Sequence, residues 1–512
     1  MHICLHKFAG AEVWEWEALV FSRAPSEGVG LTTSSNPMNK KTALGAAVAL
    51  AVVAYGGATW YLGQRAQASY QEALEEVRKV LGAETVVSQD YQKGFFTSQA
   101  KVVLQWTPPA SAEASEPAPQ PLRVVVNSAV RHGPLAGGTL AAAVVESRFA
   151  LEGLDAKAGT LLAKAQAPTL TTVHGLTGSH HMKLIVPAGE LGDEEVTMRW
   201  QEMKTEFSVS GDRTQVKGNF QWPELAFSGV KKASDEEDAQ DEAPSRFAMS
   251  FKGMNGDFES QIIDDLWMMA PGKGAIRFAQ IDASNTPQGG TASTLLALKD
   301  LLGTTTIERN GKLLSMASSL KGKGLVGPVD FESIGFEEKF QRIDADVVKT
   351  LQVAMVESYR KDGLKAMASE EDSGKLFGLL ADNAQRLAAA LPAYSMKFVA
   401  TLGGQQGEVS YGGEITRAPS AEEVTQAGWG PVLLKNATFH ADVRLPKAWL
   451  PQLAKAAGQE EFKSEDVDGM IGMAQAAGYV RQEGDNLTSS LKMEGGQAKL
   501  NGRVMDLPNF MR

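Results

Sequence analysis

From Thr42 to Leu62 the chain reads TALGAAVALAVVAYGGATWYL, 21 residues without one charged side chain. As a helix this run is roughly 30 Å long, the thickness of a bilayer's hydrocarbon core. Lys40 and Lys41 stand immediately before it. Positive charge stays on the cytoplasmic side, so the run is predicted to be a membrane anchor with the N-terminus inside and everything after Leu62 outside. Trp60 and Tyr61 fall at its far edge, where aromatic residues favour the membrane interface. Ala66-Gln67-Ala68 offers a leader-peptidase pattern, but the apolar run exceeds the ~7–15 residues of a signal-peptide core, so the anchor is expected to stay uncleaved. Residues 1–37 carry a slight acidic excess and precede a second methionine, Met38, followed by Asn39-Lys40-Lys41. Translation is expected to start at Met38, with 1–37 a gene-start artefact or a disordered tail.

Beyond the run, Arg65 to Leu81 (RAQASYQEALEEVRKVL) continues in helix-forming residues, and Gly82 supplies a stop. Residues 107–121 (Pro, Ala, Ser, Glu) and 233–245 (acidic) read as solvated loops. Much of the remainder alternates with period two. Val216, Phe220 and Trp222 share one face; so do Met396, Phe398, Ala400 and Leu402, and again Phe439, Ala441, Val443 and Leu445. Each is predicted to be a half-buried strand, and Gly-rich turns such as 403–407 make antiparallel hairpins. Helical spacing interrupts the strands at Ile343–Ser369, Lys375–Leu391, Pro446–Ala457 and Ser464–Ala477, with Leu295–Leu302 as a shorter candidate. Hydrophobic residues make up 43% of the chain and charged ones 22%, enough to bury a core. The predicted fold is α+β: a long, curved antiparallel sheet built from hairpins, with helices packed on one face, after one transmembrane helix and a helical stalk.

The net charge of -11 argues against nucleic acid as a partner. The single cysteine, Cys4, leaves the body without an internal disulfide, a Cys-ligated zinc or a CxxC pair. No nucleophile elbow, HExxH or phosphate-binding loop is present. Ser318–Lys321 and Ser489–Lys492 both read SSLK, formally S-x-x-K, yet both sit in strand-turn-strand contexts rather than at a helix start. They also hint at reused hairpin units. His174, His180 and His181 are the one histidine cluster, but adjacent strand residues face opposite ways, which separates His180 from His181 as metal ligands. Asp264-Asp265 and Glu337-Glu338 are paired acids; a glycosidase needs its two carboxylates across a cleft, and solvated acids are the simpler reading. No catalytic, cofactor-binding or metal-ligating residue and no cofactor are assigned.

Three segments occur in a telling order. The first is Met38-Asn39-Lys40-Lys41 with its apolar run. The second is Tyr91-Gln92-Lys93-Gly94-Phe95-Phe96-Thr97-Ser98, followed by His132-Gly133-Pro134. The third runs from Ala476-Ala477-Gly478-Tyr479 through Leu487-Thr488-Ser489-Ser490-Leu491 to Leu500-Asn501-Gly502. Together they resemble the YdgA family, a bacterial family whose shared domain has no assigned function. The resemblance covers 38–512 and implies a Gram-negative envelope, with the anchor in the inner membrane and the body in the periplasm. It supplies no catalytic residues. Gly94 and Gly133 are expected to serve turns with unusual backbone angles, Pro134 to fix a turn exit, and Asn501-Gly502 to make a hairpin turn.

The expected organisation is an extension (1–37), a signal anchor (38–63), a stalk (64–82) and a β-rich body (83–512) with helical insertions at about 343–391 and 446–478. The expected role is non-enzymatic: binding an envelope partner, or holding an apolar or lipid ligand on the sheet. The alternative is an envelope hydrolase acting on glycan or peptide. The Gly/Ala-rich anchor and stalk also admit a homodimer.

Overall fold

The computed structural model describes residues 40–106, 121–153, 166–192, 195–231, 244–362, 370–456 and 464–505. The extension 1–37 and almost all of the two predicted loops, 107–121 and 233–245, lie outside the described residues. The described residues fall into two compact units, the first within Met1–Gly159, Ala167–Val186 and Glu206–Val216, the second within Thr160–Gln166, Pro187–Thr205 and Lys217–Arg512. A long antiparallel sheet dominates the fold, accompanied by eight α-helices among the described residues.

The first unit opens with α1 (Lys40–Leu81), one helix of 42 residues that runs through the apolar segment and the predicted stalk and ends where Gly82 N donates to Arg78 O. The side chains of residues 40–50 lie outside the described residues. Among the described residues no helix is long and apolar enough to cross a membrane, a statement that leaves aside the first nine residues of the Thr42–Leu62 run. The strands β1 (Val86–Lys93), β2 (Thr97–Trp106) and β3 (Leu122–His132) follow. A small hairpin, β4 (Leu135–Ala136) with β5 (Thr139–Leu140), leads into β6 (Ala143–Glu152), β7 (Thr169–His174) and β8 (His180–Val186). The order across this part of the sheet is β1-β2-β3-β6-β7-β8, every pair antiparallel. Leu62, Leu74 and Val77 of α1 are buried, and the Tyr70 ring lies 5.3 Å from that of Tyr91 on β1.

Next come β9 (Gly189–Gly192), β10 (Val196–Trp200), β11 (Met203–Val209) and β12 (Gln215–Lys231). The second unit is then a meander of long strands: β13 (Ser245–Gln261), β14 (Gly272–Pro287), β15 (Ser293–Asn310), β16 (Leu313–Val326) and β17 (Val329–Asp344). Helices α2 (Ala345–Asp362), α3 (Glu370–Asp382) and α4 (Ala384–Ala389) intervene before β18 (Ala393–Leu402) and β19 (Gln405–Ile415). Helices α5 (Ala421–Ala427) and α6 (Trp429–Asn436) precede β20 (Ala437–Pro446). Helices α7 (Trp449–Ala456) and α8 (Ser464–Ala476) come before the closing strands β21 (Arg481–Glu483), β22 (Asn486–Glu494), β23 (Gln497–Leu500) and β24 (Arg503–Met505).

Two sequence expectations are corrected and two unpredicted helices are added. Leu295–Leu302 is not a helix but part of β15, because β14 and β16 hydrogen-bond it on both sides and bury Leu301 within the sheet. Helices α5 and α6 went unpredicted, although Ser420 and Glu423 form a reciprocal capping box of a kind visible in sequence. Gly94 and Gly133 do not take positive φ; a side chain at either would collide with the carbonyl oxygen of Thr97 or Ala141, so close backbone approach makes them glycine. The Asn501-Gly502 turn does use positive φ, 51° and 81°.

One core contact in the second unit is specific. Trp449 is buried with Val329, Ala400 and Leu402, and its Nε1 donates to Leu402 O at 3.1 Å. The indole lies on Gly407, where a Cβ would stand 2.6 Å from the ring. Trp449→Ala is expected to destabilise the second unit by about 3–5 kcal/mol, read as a lower denaturant midpoint. Gly407→Val should be comparably harmful by expelling the indole.

Candidate functional site

The register of the second unit decides what its two faces look like. Residues directly opposite across antiparallel strands point to the same face. One row reads Ile276, Gly303, Leu320, Phe336, Phe398, Val409 and Val443, from β14 to β20. Four residues along the strands, another reads Ile307, Met316, Phe340, Tyr394, Gly413, Phe439 and Met493. The opposite face carries Thr304, Ser319, Glu337, Lys397, Ser410, Asp442 and Ser490 in one row, all polar. The alternation read from single strands thus merges into one apolar face about 29 Å across, since strands lie ~4.8 Å apart.

That face is only partly covered. Trp449 closes the end carrying Ala400 and Leu402. Elsewhere Ile276, Leu320, Tyr411 and Phe439 stay between 38% and 43% exposed. Between the two apolar rows runs a third: Thr305, Ser318, Glu338, Met396, Tyr411, Ala441 and Leu491. It contains a polar notch. The Tyr394 hydroxyl donates to Glu338 Oε1 at 2.9 Å and lies 3.4 Å from the Tyr411 hydroxyl. Hydrogen bonding with Tyr411, burial and the Glu338 carboxylate raise the Tyr394 phenol above its ordinary 10, so it remains a neutral donor at any physiological pH. The arrangement offers an acceptor and hydroxyls, next to Thr305 and Ser318, between the two apolar rows.

The first unit gathers the motif residues that carry the family resemblance. His132 and Ser98 are 3% and 2% exposed and lie 3.0 Å apart, Nε2 to Oγ. Phe95 O lies 3.1 Å from His132 Nδ1. A carbonyl can only accept, so Nδ1 carries the proton and Nε2 accepts from the serine. This is the geometry of a nucleophile and its base. Its surroundings are those of a fastening: Gly63 of α1 stands over the imidazole, where a Cβ would be 2.6 Å from Nδ1. Sequence reasoning placed Ser98 and His132 in turn motifs and missed the contact, because the residues come from different hairpins.

The other candidates separate. His174 and His180 face each other across β7 and β8, with Nδ1 atoms 2.9 Å apart and rings edge to face, while His181 pairs with Val173 on the other side. Burial, then the His180 charge, lowers His174 to about 4; burial, then Arg213, lowers His180. The two imidazoles are thus a neutral pair sharing a hydrogen bond. Among the described residues no group of three His, Cys, Asp or Glu gathers as metal ligands. Asp264 and Asp265 form a tight turn at φ 55° and 58°, held by Arg309 on the Asp264 carboxylate and by Lys349 and Gln352 on the two backbone carbonyls. Glu337 and Glu338 take opposite faces of β17. Ser318 and Ser489 lie in β16 and β22, bonded to the Thr305 hydroxyl and to Tyr479 O.

Residues 38–508 match the model of a family described as bacterial protein of unknown function (DUF945), and the chain belongs to that family. No curated protein and no solved structure matches it.

Two outcomes follow for the first unit. The ordinary histidine pKa is near 6.5, so between about pH 6.5 and 4 the unfolded chain binds a proton that folded His174 refuses. Stability is therefore full above this window and falls as the pH drops through it, by about 3 kcal/mol for His174, with His180 adding in the same direction. Urea midpoints measured from pH 7 to pH 4 should show the slope, and His174→Gln should flatten it. Ser98→Ala leaves His132 Nε2 buried without its donor and should cost about 1–3 kcal/mol, with faster hydrogen exchange in residues 59–78 of α1.

Proposed function

We propose that this family member is a non-enzymatic, membrane-anchored envelope protein that holds an apolar, lipid-like ligand along the sheet of its second unit. The half-exposed face running from Ile276 to Val443 carries this reading. A track of about 29 Å exceeds the reach of one acyl chain, which fills half of a ~30 Å hydrocarbon core. The Glu338, Tyr394 and Tyr411 notch lies within reach of the track and would receive a polar head or an ester oxygen. Ligand pockets follow this pattern of apolar lining with few polar groups.

The charge-free run at Thr42–Leu62 behind Lys40 and Lys41 supports the anchor, with the body on the outer side of an inner membrane. The likeness of Tyr91–Ser98 and His132–Pro134 to YdgA motifs supports a Gram-negative periplasm. A hydrolase would have the Ser98 and His132 contact to draw on, and α1 seals that contact from any substrate.

A photo-reactive benzoylphenylalanine in place of Leu320 or Tyr411 should crosslink to lipid in intact cells. The same residue at Lys321 or Ser410, one step along the strand and on the polar face, should not. Equal labelling of both faces, or lipid at neither, would overturn the reading.

A further inference from the structure

The way α1 meets the first unit leaves its apolar run at the short end of what crosses a bilayer. Thr59 and Leu62 are buried, and Gly63 lies against His132, so the helix is docked on the sheet from Thr59 onward. The part of the run ahead of Thr59, Thr42 to Ala58, is 17 residues, or about 25 Å of helix. A hydrocarbon core is about 30 Å thick. If the run spans it, roughly 5 Å must be made up by the body itself.

The body is shaped for this. His132, Ala143, His174 and His180 form one cross-strand row, so the connections between β1 and β2, between β3 and β6, and between β7 and β8 all lie at one end of the sheet. The apolar run of α1 reaches the body at this same end, with Gly56 beside the Phe95 ring. The hairpin tips there are apolar. Phe95 and Phe96 stack edge to face at 4.8 Å, and Leu135 and Leu140 pair across the β4–β5 hairpin. These four side chains are 51% to 69% exposed, while their neighbours Ala136 and Ala141 turn inward to the core. Exposed Trp60 and Tyr61 of α1 stand within two helical turns of the Gly56 contact with Phe95.

We propose that Phe95, Phe96, Leu135 and Leu140 form a collar that sinks into the outer interface of the bilayer around the exit of α1, level with Trp60 and Tyr61. The proposal rests on the reading that the run crosses a membrane. Interfacial side chains reach about 5–10 Å into the headgroup and acyl boundary, which covers the missing length. Trp and Tyr favour the same depth. The collar ties the first unit to the bilayer at a second place beside the anchor.

The test uses the full chain with Cys4→Ser and single probes at Val52→Cys, Phe95→Cys, Leu140→Cys or Ser88→Cys, labelled with a nitrobenzoxadiazole fluorophore. Ser88 is exposed on β1, far from the tips. The labelled proteins are placed in nanodiscs of phosphatidylethanolamine and phosphatidylglycerol carrying spin-labelled lipid. The expected result is loss of about half of the Phe95 and Leu140 probe emission to a shallow spin label, as for groups at headgroup depth. The Val52 probe should be quenched by a deep label, and the Ser88 probe only by iodide from the water. If Phe95 and Leu140 behave like Ser88 while Val52 is quenched, the collar is overturned and the anchor stands. If Val52 escapes the deep label as well, the anchor fails and the collar with it.

Discussion

Strands of 14 to 18 residues, laid side by side from β12 to β17, impose the constraint on which the second unit depends. Each interior strand must satisfy its backbone groups on both neighbours. With side chains alternating strictly, one residue of slip would carry a whole apolar row to the polar face. The register is therefore held along every pair, and the shifts at Ala283/Ser284, Lys299/Leu302 and Gly322/Gly324 are local bulges that leave the rows on their own side. The placing of Trp449, the polar notch at Tyr394 and the open track all follow from that register.

The first unit depends on a different contact. There a single long helix is laid on the sheet and locked by close approach at Gly63, by buried leucine and valine side chains, and by the Ser98 and His132 hydrogen bond underneath. The polar pair is fully satisfied, with the imidazole bonded on both nitrogens, so its burial is compatible with a stable interior. Fastening of this kind fixes the height at which the apolar run leaves the body.

The apolar face of the second unit is covered unevenly. A sheet meant only to pack would be expected to close its apolar face with helices, as α7 does over Ala400 and Leu402. The track from Ile276 to Val443 is left partly open at a cost of about 25 cal/mol for each Å² of apolar surface kept in water. An apolar ligand on the track would recover that cost.

Much of this was legible beforehand. Period-two patterns placed Val216 to Trp222, Met396 to Leu402 and Phe439 to Leu445 in strands, and helical spacing located the helices after β17 and after β20. Leu295–Leu302 was misread because a leucine-rich stretch suits a helix or a doubly paired strand equally well, and only the flanking strands decide. What the sequence determined by itself was the local alternation, the charge-free run with its lysine flank, and the absence of cysteine beyond Cys4. Tertiary structure alone decided which residues meet: Ser98 with His132, His174 with His180, Tyr394 with Glu338, and the apolar residues of seven strands in one row. The physical reason is that periodicity specifies which way a side chain points along its own strand, whereas its neighbours across the sheet depend on register, and register is set by all the strands together.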